Sequence, residues 1–115
     1  MATFLPPVTL LNTSREVLVE VWNERESQDK RWGQQDHPDG TEGNAEEWKT
    51  IADLSKRVND NAYMSGIPTF KNILKEEVAE AFAETDPVLI RAELVQVAAV
   101  AVAWIEAIDR RLLVR

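Results

Sequence analysis

The apolar residues of this chain recur every three or four positions, the spacing that places side chains on one face of an α-helix. Four segments share the pattern. They cover 14 to about 28, 45 to about 59, 68 or 69 to about 84, and 87 to about 110. Alternation typical of strands is nearly absent, and 4–11 is the only weak candidate. We therefore expect an all-α fold of about four helices.

Residue types that cap helices support these boundaries. The N-terminal signals are Thr13 with Glu16, Asn44 with Glu47, and Asp86 followed by Pro87. The first two pairs have capping-box spacing, and the third joins an N-cap residue to a first-turn proline. The polar run 59–61, followed by Gly66 and Pro68, is expected to end the second helix.

A long loop over about 29–44 is expected after the first helix, because its part 29–40 is rich in Gly, Pro and Asp. Loops of roughly sixteen residues are unusual in so small a domain and are often functional. Residues 1–12 are expected to form an irregular arm. No repeat or boundary interrupts the rest, so 1–115 is expected to be a single domain.

Composition excludes several kinds of site. The chain has no cysteine and one histidine, which excludes disulfides, thiolate metal sites, cysteine nucleophiles and a histidine-rich metal site within one chain. The formal net charge of −7 argues against a nucleic-acid polymer as partner, since such binding needs clustered Lys and Arg. A nucleotide remains compatible, because a bound divalent cation can supply the positive charge.

No membrane partner is expected, and the cytoplasm is the simplest location. The N-terminus lacks a basic region and is interrupted by Pro6-Pro7, unlike a signal peptide. The longest apolar run, 94–105, is too short to span a bilayer. The fourth helix is apolar nearly all round, which indicates burial in the fold or in an oligomer, so a homodimer or homotetramer is expected.

Carboxylates lie where the helical pattern places apolar residues. On the third helix, Glu77 falls inside the apolar stripe between Ile73 and Ala81, and Glu80 lies at its edge. Glu76 lies further round the helix and is expected to be solvated. On the fourth helix, the positions 93 and 96 fall within the apolar side defined by Leu89, Val100 and Trp104.

The turn between these two helices is about three residues long, so they are expected to be antiparallel neighbours. Counted outward from Asp86, Glu80 is six residues back and Glu93 is seven forward. Glu77 is nine back and Gln96 is ten forward. We therefore expect three carboxylates and an amide to meet in one half-buried cluster.

A divalent cation would offset the repulsion within such a cluster. Ligand sets made only of oxygen are those that Mg²⁺ or Mn²⁺ prefers. The alternative is a surface network without a metal, in which Glu77 pairs with Lys71, Lys75 or Arg91.

The Glu-x-x-Glu of 77–80 and the Glu-x-x-Gln of 93–96, separated by a twelve-residue spacer, resemble the signature of the MazG family. That signature is Glu-x-x-Glu, a spacer and Glu-x-x-Asp. The segment 24–38, ERESQDKRWGQQDHP, looks like the end of the first helix in phage and actinobacterial MazG-like proteins. The resemblance spans about 15–110.

This resemblance implies an all-α bundle that assembles into dimers or tetramers. It also implies Mg²⁺-dependent hydrolysis of nucleoside triphosphates, often deoxy or non-standard ones, to the monophosphate and pyrophosphate. Glu77, Glu80 and Glu93 would be metal ligands, with Glu77 or Glu80 as an alternative general base. Gln96 stands where the family has Asp; its amide can coordinate a cation but adds no charge and cannot act as a base. A second Glu-x-x-Asp, at 106–109, is disfavoured because it lies about 20 Å further along the helix.

Substrate contacts follow from the same resemblance and from side-chain chemistry, because cations suit phosphates and flat rings suit a base. Trp32 and His37 have ordinary alternatives as well, a packing role for the ring and one local hydrogen bond for the imidazole. The candidates are Lys30, Arg31 and Lys75 for the phosphates, Trp32 and His37 for stacking on the base, and Gln35 or Asn72 for the base edge.

Two other functions stay open. Gln96 favours a catalytically weak relative that binds nucleotide or metal without fast turnover. A small acidic helical interaction protein would need no metal, and replacing Glu77 by Ala would then stabilise it or do little.

Overall fold

The computed structural model describes residues 14–113. It contains four helices: α1 (Ser14–Trp32), α2 (Ala45–Ser65), α3 (Phe70–Phe82) and α4 (Pro87–Leu113). No strand is present in this part of the chain. The predicted all-α fold of four helices is therefore confirmed. The weak strand candidate at 4–11 and the predicted cap Thr13 lie outside the described residues.

Three helices, α1, α2 and α4, extend further than their sequence patterns predict, and α4 runs to Leu113. Helix α1 runs to Trp32, so Lys30, Arg31 and Trp32 are helical and not part of the loop. Gly33 ends the helix with a φ of 72°, and its N–H donates to the Asp29 carbonyl at 2.8 Å. The loop that follows is therefore shorter than predicted, at 33–44.

Helix α2 continues past the polar run 59–61, which was wrongly expected to end it. Asn59 is buried, with 3 % of its surface exposed, so packing outweighs the turn preference of Asn and Asp. The helix ends instead at Gly66, whose φ of 108° suits a residue without Cβ. Its N–H donates to the Ala62 carbonyl at 2.8 Å.

Side-chain caps define the hairpin that follows. The Thr69 hydroxyl accepts a hydrogen bond from the Asn72 N–H at 3.2 Å at the start of α3. At the start of α4, the Asp86 carboxylate accepts one from the Val88 N–H at 2.9 Å, as the sequence predicts. Asn44 makes no side-chain cap bond, so that predicted cap is wrong.

The chain divides into two compact units. The α1 unit contains the described residues 14–37 and 102–113, and the α2–α3 unit contains 38–101. In the α1 unit, Val17 is 1 % exposed and the Ser14 hydroxyl donates to the Glu106 carboxylate at 2.7 Å. The single domain expected over 1–115 stays a prediction.

Small side chains allow α2 and α3 to pack closely in the α2–α3 unit. Ala79 and Ala81 are 0 % and 1 % exposed, and Ala52 of α2 is also buried. The two helices are antiparallel, because Trp48 near the start of α2 meets Phe82 at the end of α3. Their rings form an edge-to-face pair with centroids 4.9 Å apart, a geometry that aromatic quadrupoles favour.

Helix α4 keeps much of its apolar surface exposed. Val88, Leu94 and Val95 are 74 %, 48 % and 52 % exposed. By length and composition alone, the segment Pro87–Leu112 is apolar enough to cross a membrane, and the expectation drawn from the shorter run 94–105 stays a prediction. Helices that are covered within a protein or by an oligomer pass the same test.

Candidate metal centre

Helices α3 and α4 are joined by a short connection, 83–86. Glu77 and Glu80 lie one turn apart on α3, and Glu93 lies on α4. One carboxylate oxygen from each of the three lies within 4.8 Å of the others. All three side chains are half-buried. The structure thus brings together the three carboxylates that the count outward from Asp86 predicts.

Neighbouring buried residues place these carboxylates. Ala79 and Ala81 alternate with Glu80 and are almost fully buried, which fixes the rotation of α3. Ile90 is 7 % exposed and precedes Glu93 by three residues, so both lie on the same side of α4. Apolar anchoring on each helix therefore holds the acids in the hairpin and away from open solvent.

Burial and mutual repulsion disfavour the charged forms of two of the acids. Burial raises the pKa of Glu80 to about 7, with further contributions from the charge of Glu77, a hydrogen bond with Glu76 and the charge of Glu93. The pKa of Glu77 is also raised, first by burial and then by the charges of Glu76 and Glu93. The cluster therefore carries more negative charge than its surroundings stabilise.

Glu76 is half-buried and hydrogen-bonded, which corrects the expectation that it is solvated. Its Oε1 accepts a hydrogen bond of 2.6 Å from Nδ2 of Asn59 on α2. The same Nδ2 donates to the Asn72 carbonyl at 3.1 Å. Sequence reasoning missed this pair; the signal was the helical spacing of Asn59 from Ala52 and Ser55, which puts an amide on the buried stripe of α2.

The donor set suits a hard divalent cation. It consists only of carboxylate oxygens, the ligand type that Mg²⁺ and Mn²⁺ prefer. In octahedral coordination by Mg²⁺, with bonds of about 2.1 Å, oxygens on opposite sides of the ion stand about 4.2 Å apart and neighbouring oxygens about 3.0 Å apart. At least two of the three distances among these oxygens would therefore have to be about 3.0 Å, and side-chain rotations would have to bring them there from within the observed limit of 4.8 Å.

A cationic side chain does not neutralise the cluster. Within the described residues, no ion pair joins Glu77 to Lys71, Lys75 or Arg91, and all three cations are exposed. The two ion pairs found there, Arg25–Asp29 and Lys56–Asp60, lie along single helices. The surface network considered as an alternative is not formed.

Two further positions were considered as metal ligands, Gln96 and the second Glu-x-x-Asp at 106–109, and their surroundings differ. Gln96 is exposed on α4, one turn beyond Glu93. Glu106 of the alternative Glu-x-x-Asp lies in the α1 unit, where it accepts the hydrogen bond from Ser14. In the described part of the chain, the one group of three acids or histidines with converging ligand atoms is Glu77, Glu80 and Glu93.

Five of the predicted substrate contacts lie in the α1 unit, whereas the carboxylates lie in the α2–α3 unit. All five are exposed, and the Arg31 guanidinium lies 5.8 Å from the centroid of the Trp32 ring, a cation–π contact. Their role in binding stays a prediction. These residues are Lys30, Arg31, Trp32, Gln35 and His37.

Asn72 and Lys75, the other two predicted contacts, line a pocket of about 210 Å³ between α2 and α3. Its other walls are Ile51, Leu54, Ser55 and Val58. At about 100° per residue, Lys75 and Glu77 lie on opposite sides of α3. The structure therefore does not join this pocket to the carboxylates through α3.

Comparisons with known proteins identify no relative. No protein-family model matches the chain, and no curated protein or solved structure matches it either.

Replacing Glu80 by Gln should stabilise the metal-free protein at neutral pH. The folded protein keeps the Glu80 proton up to a pH of about 7, whereas the unfolded chain loses it near 4.5. Unfolding is therefore increasingly favoured as pH rises through this window. With solvent screening, we expect about 1 kcal/mol at pH 7.5, or roughly 4 °C in melting temperature.

The measurement is thermal unfolding in a chelator between pH 4.5 and 8, with Glu84→Gln as a control outside the cluster. The advantage of Glu80→Gln should vanish at the acidic end. Parallel curves for wild type and Glu80→Gln across the whole range would contradict the raised pKa.

Proposed function

We propose that this chain is a MazG-like, Mg²⁺-dependent nucleoside triphosphate pyrophosphohydrolase that yields nucleoside monophosphate and pyrophosphate. The observation that carries the proposal is the convergence of Glu77, Glu80 and Glu93 on the α3–α4 hairpin. Their spacing in the sequence resembles the family signature, and the all-α fold agrees with it. The convergence in the structure and the spacing in the sequence both concern Glu77, Glu80 and Glu93.

The carboxylates would hold Mg²⁺ or Mn²⁺ and so receive the compensation that their burial requires. When bound, such a cation supplies positive charge against the phosphates and lowers the pKa of water. Glu77 or Glu80, whichever is not a ligand, would take a proton from the attacking water. The bond that breaks is the anhydride between the α- and β-phosphates, because pyrophosphate is the leaving product.

The remaining parts of the proposal concern the substrate and the assembly. The nucleoside triphosphate would be contacted through its phosphates by Lys30, Arg31 or Lys75, and through its base by the other predicted residues. The chain would act in the cytoplasm as a homodimer or homotetramer, with the apolar surface of α4 at the interface. A soluble substrate and an acidic protein agree with this location.

A second candidate function rests on Gln96. The family's fourth carboxylate is an exposed amide here, so the cluster has one negative charge fewer. Affinity for oxygen-bound cations depends on the charge of the ligand set. A protein that binds metal and nucleotide with slow turnover is the function that this observation favours.

Pyrophosphate release should occur in the presence of Mg²⁺ or Mn²⁺ and should depend on Glu80. The assay uses a panel of canonical and modified nucleoside triphosphates. Glu80→Ala removes a ligand or base and should lower kcat/KM by about 100-fold or more. Glu84→Ala, four residues further along and outside the cluster, should change it by no more than about two-fold.

Other outcomes distinguish the alternatives. Metal-dependent thermal stabilisation without pyrophosphate release would favour the binding protein, since a ligand of the native state raises stability by mass action. Neither stabilisation nor release, in a folded protein, would favour the interaction protein. Loss of activity in Asp109→Asn but not in Glu80→Ala would move the site to 106–109.

Restoring the fourth carboxylate should strengthen the site. We expect Gln96→Asp to tighten Mg²⁺ binding by roughly ten-fold, because added ligand charge raises affinity. Isothermal titration with Mg²⁺ measures this. Ala98→Asp adds the same charge to an exposed position of α4, but about 140° round the helix from Glu93 and about 200° from Gln96, and should have little effect. Equal tightening in both variants would indicate general electrostatics and not coordination by position 96.

The apolar surface of α4 should make the protein a dimer or tetramer. Light scattering at micromolar concentration should give a dimeric or tetrameric mass for wild type, and a lower mass for Val95→Glu, since a buried charge opposes association. Val58→Glu on α2 is the matched control, because Val58 and Val95 are 51 % and 52 % exposed. A monomeric wild type would contradict the proposed assembly.

A further inference from the structure

A recess lies between the loop before α2, the first turn of α2 and the end of α3. Its volume is about 210 Å³, and its lining residues are Asp39, Gly40, Thr41, Asn44, Trp48 and Phe82. A second cavity, of about 280 Å³, shares the loop residues 39–41 and continues to Thr85 in the connection between α3 and α4. The recess therefore adjoins the end of the hairpin that carries the three acids.

Thr41 points to a ligand, because its hydroxyl is buried without a partner. The residue is 8 % exposed, and its Oγ1 forms no hydrogen bond within the described residues. An unpaired buried hydroxyl lowers stability, and a Val side chain has the same shape without this cost. The hydroxyl and the methyl group share one carbon, so a rotation about χ1 can turn the hydroxyl towards the recess. A ligand there would supply the missing hydrogen bond.

Two more polar side chains of the recess are available to a ligand. Asn44 precedes α2, but its side chain makes no cap hydrogen bond. Asn44 and Asp39 are both exposed, and in the described part of the chain neither side chain has a hydrogen bond or an ion pair. The carboxylate accepts hydrogen bonds, whereas the amide and the hydroxyl of Thr41 both donate and accept. The recess thus suits a ligand edge that carries donors and acceptors together.

The walls of the recess favour a flat, uncharged ligand. Trp48 and Phe82 form the edge-to-face pair described above, and Phe82 is 41 % exposed. Aromatic side chains of this kind bind nucleobases by stacking. None of the described residues that line the recess is Lys, Arg or His, so phosphates would find no cation there. Since a cavity of about 150 Å³ holds benzene, the volume also suits the ring of a base.

From these observations we infer that the recess binds the nucleobase of the substrate. Thr41 and Asn44 form hydrogen bonds with the edge of the base, and Asp39 accepts one from its N–H or amino group. An aromatic ring packs against its face. The inference rests on the proposed function, which supplies the nucleotide. It moves the base from Trp32 and His37 of the α1 unit to the unit that contains Glu77, Glu80 and Glu93.

The test uses nucleosides, which carry the base without phosphates, and the full chain in a chelator. Saturation-transfer NMR titrations measure Kd for cytidine, uridine, thymidine, adenosine and guanosine. Wild type should bind at least one of them with a Kd of about a millimolar or lower. Thr41→Val removes only the hydroxyl and should weaken this binding by about five-fold or more. The same variant should raise the melting temperature of the free protein, because it removes an unpaired buried hydroxyl.

A second variant and two matched controls accompany this substitution. Asn44→Ala changes an exposed residue and should weaken nucleoside binding by about three-fold or more. Thr50→Val and Asn61→Ala change exposed residues of α2 outside the recess and should alter Kd by no more than about two-fold. In the pyrophosphate assay, Thr41→Val should raise KM and leave kcat nearly unchanged, because a contact with the base is the same in the ground state and the transition state.

The remaining outcomes separate this inference from the proposed function. Folded wild type that binds no nucleoside, or Thr41→Val and Asn44→Ala that bind as tightly as wild type, would overturn the base site and leave the metal-dependent hydrolysis standing. Loss of binding in Trp32→Ala but not in Thr41→Val would return the base to α1 and overturn it as well. Binding that depends on Thr41, without pyrophosphate release from any triphosphate, would support the base site and contradict the hydrolase.

Discussion

Repulsion among three half-buried carboxylates is the constraint on which the organisation of this protein depends. Glu77, Glu80 and Glu93 are held together by a short turn between two helices and by apolar anchors such as Ala81 and Ile90. Nothing in the described residues neutralises them, and burial and mutual charge raise the pKa of Glu80 to about 7. A fold that tolerates such a cluster loses stability unless a cation or a proton compensates it. The same residues thus connect stability, pH and the chemistry proposed for the site.

Helix α2 packs against α3, the helix that carries Glu77 and Glu80. Its small buried residues let it pack closely on α3, and the Trp48–Phe82 pair closes the far end of the packed helices. Between these contacts, Asn59 donates to a fourth acid, Glu76, which would otherwise add an unpaired charge beside the other three. The hydrogen bonds of Asn59 are therefore embedded in an apolar interface, where a hydrogen bond is stronger than in water.

Helix α4 carries both a member of the carboxylate cluster and a large exposed apolar surface. One side carries Glu93 into the cluster, while large apolar residues such as Val88 and Val95 stay exposed. Exposed apolar area of this kind favours association, and an interface along α4 would also lower the solvent access of a site on the same helix. Gln96, which is uncharged where an Asp would carry a negative charge, would reduce the repulsion that such burial adds.

The sequence by itself determined the elements and the register of the hairpin. Helical periodicity and the cap at Asp86 are local signals, and counting outward from a short turn predicts which acids meet, because rigid helices leave one alignment. Only the tertiary structure decided that α2 continues beyond Asn59 to Ser65 and that the Asn59 amide donates a hydrogen bond to Glu76. It likewise showed that α1 extends through Trp32, so that predicted loop residues are helical. Each of these outcomes depends on which surfaces are buried together, and burial outweighs the local preferences on which sequence reasoning relies.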